Sequence, residues 1–170
     1  MKRPDFTAAL RVLVEYGVDF LVVGGVAAVL QSAPVNTFDL DVVHSTEPAN
    51  IARLLAALDR LDAYYRLQPE RRLRPDETHL ASPGHQLLMT RFGPVDVLGS
   101  IGNGRRYADL LPHAIEMDVG KEFRVRVLDL ETLIATKQEV GQEKDLAALP
   151  VLRSALEESR RRKLPPNPSS

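Results

Sequence analysis

The sequence contains no cysteine, which excludes disulfides, thiolate metal sites and a cysteine nucleophile and leaves any metal to oxygen or imidazole ligands. It also lacks a charge imbalance: 22 Lys and Arg face 23 Asp and Glu, for a formal net charge of -1. No overall field therefore steers nucleic acid toward the chain. The four histidines include no HxxxH pair, so a histidine-based zinc site is not indicated. The opening stretch "MKRPDFTAALRVLVEYGVDF" has no continuous apolar h-region, and a cytoplasmic location is the simplest expectation. No charge occurs between Asp19 and Asp39, a run that a hydropathy window would flag as a membrane span. Gly24, Gly25, Gln31, Ser32, Pro34 and Asn36 break it into a buried strand and a helix instead. No internal repeat is visible.

At 170 residues the chain suits one domain, able to bury about 70% of its unfolded surface around a single core. We expect an α/β (α+β) domain over residues 1–159, a mixed β-sheet flanked by helices with a helical C-terminal part. The remaining residues 160–170, with "RRRKLPPNPSS" at the end, read as a disordered tail. Phe6, Ala9, Leu10, Leu13 and Val14 fall at helical spacing before Gly17. "DFLVVG" reads as a buried strand, "GVAAVLQSA" as a helix ended by Pro34, and "TFDLDVVH" as a second strand. Ile51, Leu54, Leu55, Leu58 and Leu61 then mark one face of a helix that begins near Pro48. Residues 68–82 are polar and proline-rich and are expected to form a surface loop. "HQLLMTRFGPVDVLGSI" offers two strands about Gly93-Pro94, "GRRYADLLPHA" a short helix, and "AIEMDV" and "EFRVRVLD" a hairpin about Gly120. A final helical part, opened by "DLETLIATKQEV", is expected to end near Glu158.

The chemistry gathers at the acids. Side chains two apart on a strand share a face, so Asp39 and Asp41 form one acidic pair on an otherwise apolar strand. Asp96, flanked by valines, joins them if its strand lies alongside. Three carboxylates without compensation repel one another and favour protonation. A hard divalent cation such as Mg²⁺ resolves the conflict and completes its shell with substrate phosphates, and two such ions would clamp both oxygens of a phosphoryl transfer. Upstream, strand "FLVV" runs into Gly24 and Gly25 and then a helix, where close backbone approach and helix amides suit phosphate. A Gly pair at such a turn has tight packing as its commoner meaning.

This combination of strand, Gly24-Gly25, helix, proline loop, "TFDLD" and a later "VDV" resembles the nucleotidyltransferase superfamily with the polymerase beta type palm. Its pattern is hG[GS], then DxD, then one more acid on a following strand. The resemblance is nearest to small bacterial nucleotidyltransferase-like proteins, which also include enzymatic toxins of AbiEii type. It implies Mg²⁺, with Mn²⁺ as an alternative, held by Asp39, Asp41 and Asp96. It further implies that Asp96 helps activate an acceptor hydroxyl and that Gly24 and Gly25 hold an NTP; Thr37, which is not part of that pattern, offers the nucleotide a hydroxyl donor from the loop ahead of the acids. Lys137, near the apolar face set by Leu133 and Ile134, would reach a phosphate; a snorkelling surface lysine is the plain alternative. Lys144 and Asp145 also match the family's helical segment, although an exposed charge pair contributes little.

The implied reaction moves a nucleoside monophosphate from an NTP to an acceptor hydroxyl and releases pyrophosphate. The acceptor, whether small molecule, tRNA or protein, is not legible. Two departures support a second reading. Many relatives carry an arginine in the loop before the DxD strand, where Val35 and Asn36 stand here, and Gly25 replaces a frequent serine. The fold would then be a degenerate binding module or a toxin–antitoxin component with a partner protein. A DxD glycosyltransferase is a third reading, disfavoured by the short chain and the late Asp96. Arg71, Arg72, Arg74, Arg105 and Arg106 are expected to be solvated loop charges, and His44 a structural histidine.

Overall fold

The computed structural model describes residues 3–164. Helix α1 (Phe6–Glu15) starts where the Asp5 side chain accepts the Ala8 N–H at 3.0 Å, satisfying one of the orphan donors of the first turn. Strand β1 (Phe20–Val23) follows, then α2 (Gly24–Leu30), β2 (Leu40–His44) and α3 (Pro48–Arg60). Next come β3 (Tyr64–Tyr65), α4 (Glu77–Ala81), the hairpin β4 (His85–Thr90) and β5 (Gly93–Leu98), and α5 (Tyr107–Leu110). The second hairpin, β6 (Ala114–Val119) and β7 (Phe123–Leu128), leads to α6 (Leu130–Val140) and α7 (Glu143–Lys163).

All seven strands join one mixed sheet in the order β3-β4-β5-β2-β1-β7-β6. β1 runs antiparallel to β2 and parallel to β7, while β2 runs parallel to β5. The four residues of β1 are all buried; because strand side chains alternate in direction, both faces of the centre are covered. Helix α1 packs with α3 and β7, and α2 packs on β1, β2 and α6, which carries α7. The apolar spacing of α3 delivers Ile51, Leu54, Leu58 and Leu61 to the interior, with Leu54 and Leu61 fully excluded from solvent. Each such leucine contributes about 1.5–3 kcal/mol of apolar burial.

The structure departs from the sequence-based expectations in four places. Asp39 lies in a bend one residue before β2 rather than within the strand. Residues 68–82 are not a plain loop: a 3-10 turn spans Pro69–Arg71, and α4 starts at Asp76, whose side chain accepts the His79 N–H while the His79 ring answers the Asp76 N–H. That reciprocal cap uses histidine where glutamate or glutamine is usual, and so is easily missed. The two-residue strand β3 is held by pairing with β4 and not by any alternation of its own. Finally, α7 continues to Lys163 instead of ending near Glu158, so residues 160–163 belong to a helix. Arg161 and Arg162 pair there with Glu157 and Glu158 one turn back, and basic residues in a last turn complement the helix dipole. Residues 165–170 of the expected tail lie outside the described residues. Among the described residues no helix is long and apolar enough to cross a membrane.

Candidate active site

The sheet register builds the site. Asp41 stands opposite Asp96 across the parallel β2–β5 ladder and opposite Val23 across the antiparallel β1–β2 ladder. Cross-strand partners project from the same side of a sheet, so Asp41 and Asp96 meet although they lie far apart in the chain. Asp39, two residues upstream, returns to that side. One carboxylate oxygen from each of Asp39, Asp41 and Asp96 falls within 4.8 Å of the other two.

Gly24 makes room for this cluster. Its φ is +66°, and a Cβ at this position would stand 2.4 Å from Oδ2 of Asp41, closer than any side chain tolerates. The left-handed backbone and the close approach both ask for glycine. Gly25 meets Thr37 in the same way: a Cβ would lie 2.7 Å from Thr37 Oγ1. The Thr37 hydroxyl donates to the Asp39 carbonyl at 3.0 Å, which pins the loop ahead of the first acid. Its proton is thus committed to the backbone.

Burial and mutual repulsion shape the charges. Burial pushes the Asp41 carboxyl up to about 8, with the Asp39 and Asp96 charges adding to the effect and the Arg66 charge opposing it. Asp39 is also raised, by burial first and then by Asp96. Asp96, 5% exposed, is held differently. The Arg66 guanidinium grips it with both nitrogens, Nη1 on Oδ1 and Nη2 on Oδ2 at 3.2 Å. Nη2 also lies 3.7 Å from Asp39 Oδ2, and the Asp96 hydrogen bond raises the Arg66 pKa further.

Arg66 is the site residue that the sequence did not disclose. It sits in "YYRLQ" between β3 and β4, where the burial is inverted: Leu67 is 76% exposed while the arginine turns inward. An arginine beside a tyrosine pair carries no pattern of its own, and only the β3–β4 pairing aims it at β5. Lys137, on α6, is ion-paired at 3.5 Å with Asp145 of α7. Lys137, Lys144 and Asp145 line both cavities that flank the acids, one of about 510 Å³ on the Arg66 and Asp96 side and one of about 450 Å³ on the Gly25 and Thr37 side. The structure therefore brings together every residue singled out for the site: Gly24, Gly25, Thr37, Asp39, Asp41, Asp96 and Lys137.

The other candidates are structural. His44 is buried with Nδ1 at 3.1 Å from the Ser45 carbonyl, and desolvation lowers its pKa. Arg74 pairs with Asp59 and Asp62, Arg105 with Glu139, and Arg71 bonds to Gln68. Arg72 lies over the Tyr64 ring, and Arg106 donates to the Ala81 carbonyl.

No protein-family model and no curated protein matches this sequence. Solved structures do. One is described as a "putative nucleotidyltransferase", TM1012 from Thermotoga maritima, with 17% identity and a TM-score of 0.57 over 93% of this chain and 96% of that one. Another is the lincosamide antibiotic adenylyltransferase LnuA, solved with lincomycin bound, with 11% identity and a TM-score of 0.61 over 88% of this chain and 95% of that one. The chain has the nucleotidyltransferase fold. The likeness extends over nearly the full length of both molecules. In the nucleotidyltransferase fold expected from the sequence, DxD opens one strand and a third acid lies on another, and Asp39, Asp41 and Asp96 stand in that relation here. The donor set is all oxygen, converging and rich in negative charge, and fits a hard divalent ion such as Mg²⁺ or Mn²⁺.

Proposed function

We propose that the chain is a divalent-metal-dependent nucleotidyltransferase that moves a nucleoside monophosphate from an NTP to an acceptor hydroxyl. The observation that carries this reading is the convergence of three carboxylates from β5 and the start of β2, beside a glycine with no room for a side chain. Asp39, Asp41 and Asp96 would hold the metal. When bound, such an ion neutralises the carboxylates and polarises the phosphates. The chain's own residues then position the reactants, which is most of the catalysis in phosphoryl transfer. The NTP enters the cavity lined by Gly24, Gly25 and Thr37, with Lys137 and Lys144 supplying positive charge. The acceptor enters the cavity beside Asp96. Its hydroxyl oxygen bonds to the α-phosphorus, the bond from that phosphorus to the bridging oxygen breaks, pyrophosphate leaves, and Asp96 takes the hydroxyl proton.

The test offers the purified protein each of four labelled NTPs with Mg²⁺ or Mn²⁺ and a lysate as the acceptor pool, and measures pyrophosphate and label. Transfer that disappears in Asp41→Asn is the expected result; equal turnover by that variant removes the mechanism. One observation favours a second reading. Arg66 already supplies a cation to two of the three acids, as in a degenerate site retained for binding nucleotide or a partner protein. Calorimetry showing nucleotide or protein binding with no pyrophosphate under any condition would select it.

A further inference from the structure

The grip of Arg66 on Asp96 raises a conflict inside the proposed mechanism, and its resolution rests on the metal-dependent transferase reading. A carboxylate clasped by both arms of a guanidinium has its best-directed lone pairs engaged. Asp96 is in that state, and the same guanidinium lies 3.7 Å from an Asp39 oxygen. A divalent ion among Asp39, Asp41 and Asp96 would sit within a few ångströms of this fixed positive charge, at a distance where like charges in a partly buried site repel strongly. The two cations compete for one set of oxygens.

We infer that Arg66 is a resident counter-ion that competes with the divalent metal for Asp96 and Asp39 and thereby sets how tightly the site loads. Three features support the assignment. The arginine has an anchor independent of the acids: Nη1 donates to the Leu88 carbonyl at 3.1 Å, and its backbone N–H donates to the Leu87 carbonyl, also at 3.1 Å. Its side chain keeps 21% of its exposure and lines the 510 Å³ cavity, so there is water and space to receive it. Its charge lies against two of the three converging acids, Asp96 and Asp39, and so offsets part of their mutual repulsion. Arginine suits the role because only its planar fork takes both oxygens of one carboxylate at once.

Mn²⁺ binding to the whole protein, read by the loss of free-ion paramagnetic resonance signal at one fixed pH and ionic strength, tests the inference. Arg66→Gln removes the charge and keeps a polar side-chain amide. It should bind Mn²⁺ roughly ten- to hundredfold tighter than the wild type, the equivalent of one charge-assisted contact. Arg66→Lys retains the charge without the fork and should fall between them. A merely structural arginine gives the opposite result, weaker or equal binding in Arg66→Gln with circular dichroism unchanged, and that overturns the inference while leaving the transferase reading intact. If Arg66→Gln does not fold, Arg66→Lys decides alone: affinity no higher than wild type overturns the inference. Absence of Mn²⁺ binding in wild type and variants alike defeats the metal-dependent reading itself, and this inference with it.

Discussion

Replacing Asp41 by Asn should make the metal-free protein more stable above neutral pH. The folded protein holds the Asp41 proton up to about pH 8, against 3.8 for the free side chain. A group whose folded pKa is raised supports the fold fully below its unfolded pKa and loses that support as pH rises through the folded pKa. The window therefore runs from about pH 4 to pH 8, at about 1.4 kcal/mol per unit, for a ceiling on the order of 5 kcal/mol. Asp39 and Asp96 share the repulsion and the site opens onto a cavity, so we expect about 2 kcal/mol. For a chain of this size that is a rise in Tm of about 4–8 °C. Thermal unfolding with chelator, measured across pH, is the assay. The two proteins should coincide near pH 4 and diverge toward pH 9, with Asp41→Asn the more stable. Added Mg²⁺ should then raise the wild-type Tm and leave the variant unmoved, since a ligand stabilises only the state that binds it. Parallel curves for the two proteins, or a less stable variant at high pH, would refute the electrostatic reasoning.

Other substitutions probe the frame around the acids. Gly24→Ala places a methyl against Oδ2 of Asp41 at a φ of +66°. It should cost about 1–3 kcal/mol and abolish the Mg²⁺-dependent rise in Tm; an unchanged metal response would show that Asp41 has room to turn. Leu54→Ala, at a fully buried position in α3, should lower stability by about 2–5 kcal/mol in urea unfolding without altering Mn²⁺ affinity per folded molecule. Asp129→Ala removes the side chain that accepts the Thr132 N–H at 2.7 Å at the start of α6 and should cost about 1 kcal/mol, read as a small fall in Tm.

Much of the fold is legible because local signals agree with the packing. β1 and the helices α1 and α3 declare themselves by apolar spacing, and the hairpins by Gly93 and Gly120. The three acids are legible because carboxylates among valines have few explanations. What escapes depends on pairing between distant segments. β3 exists only through β4, and Arg66 matters only because that pairing aims it at Asp96. The α7 terminus escapes for another reason: its last turn holds Arg160, Arg161, Arg162 and Lys163, a basic run that composition alone reads as a solvated end. Gly25 reads from the sequence as part of a phosphate cradle; its immediate neighbour is Thr37, a contact across a loop whose course the sequence does not specify.

The crossover that leads from β2 to β5 passes through α3, β3, α4 and β4, and Arg66 lies within it. The chain as far as β2 supplies two of the three acids, Asp39 and Asp41. The β4–β5 hairpin, paired on β2, adds the third negative charge, and the β3–β4 pairing brings the guanidinium in alongside it. The part of the sheet that completes the acidic cluster thus brings its own neutralising partner, and closing the sheet need not wait for an ion from solution.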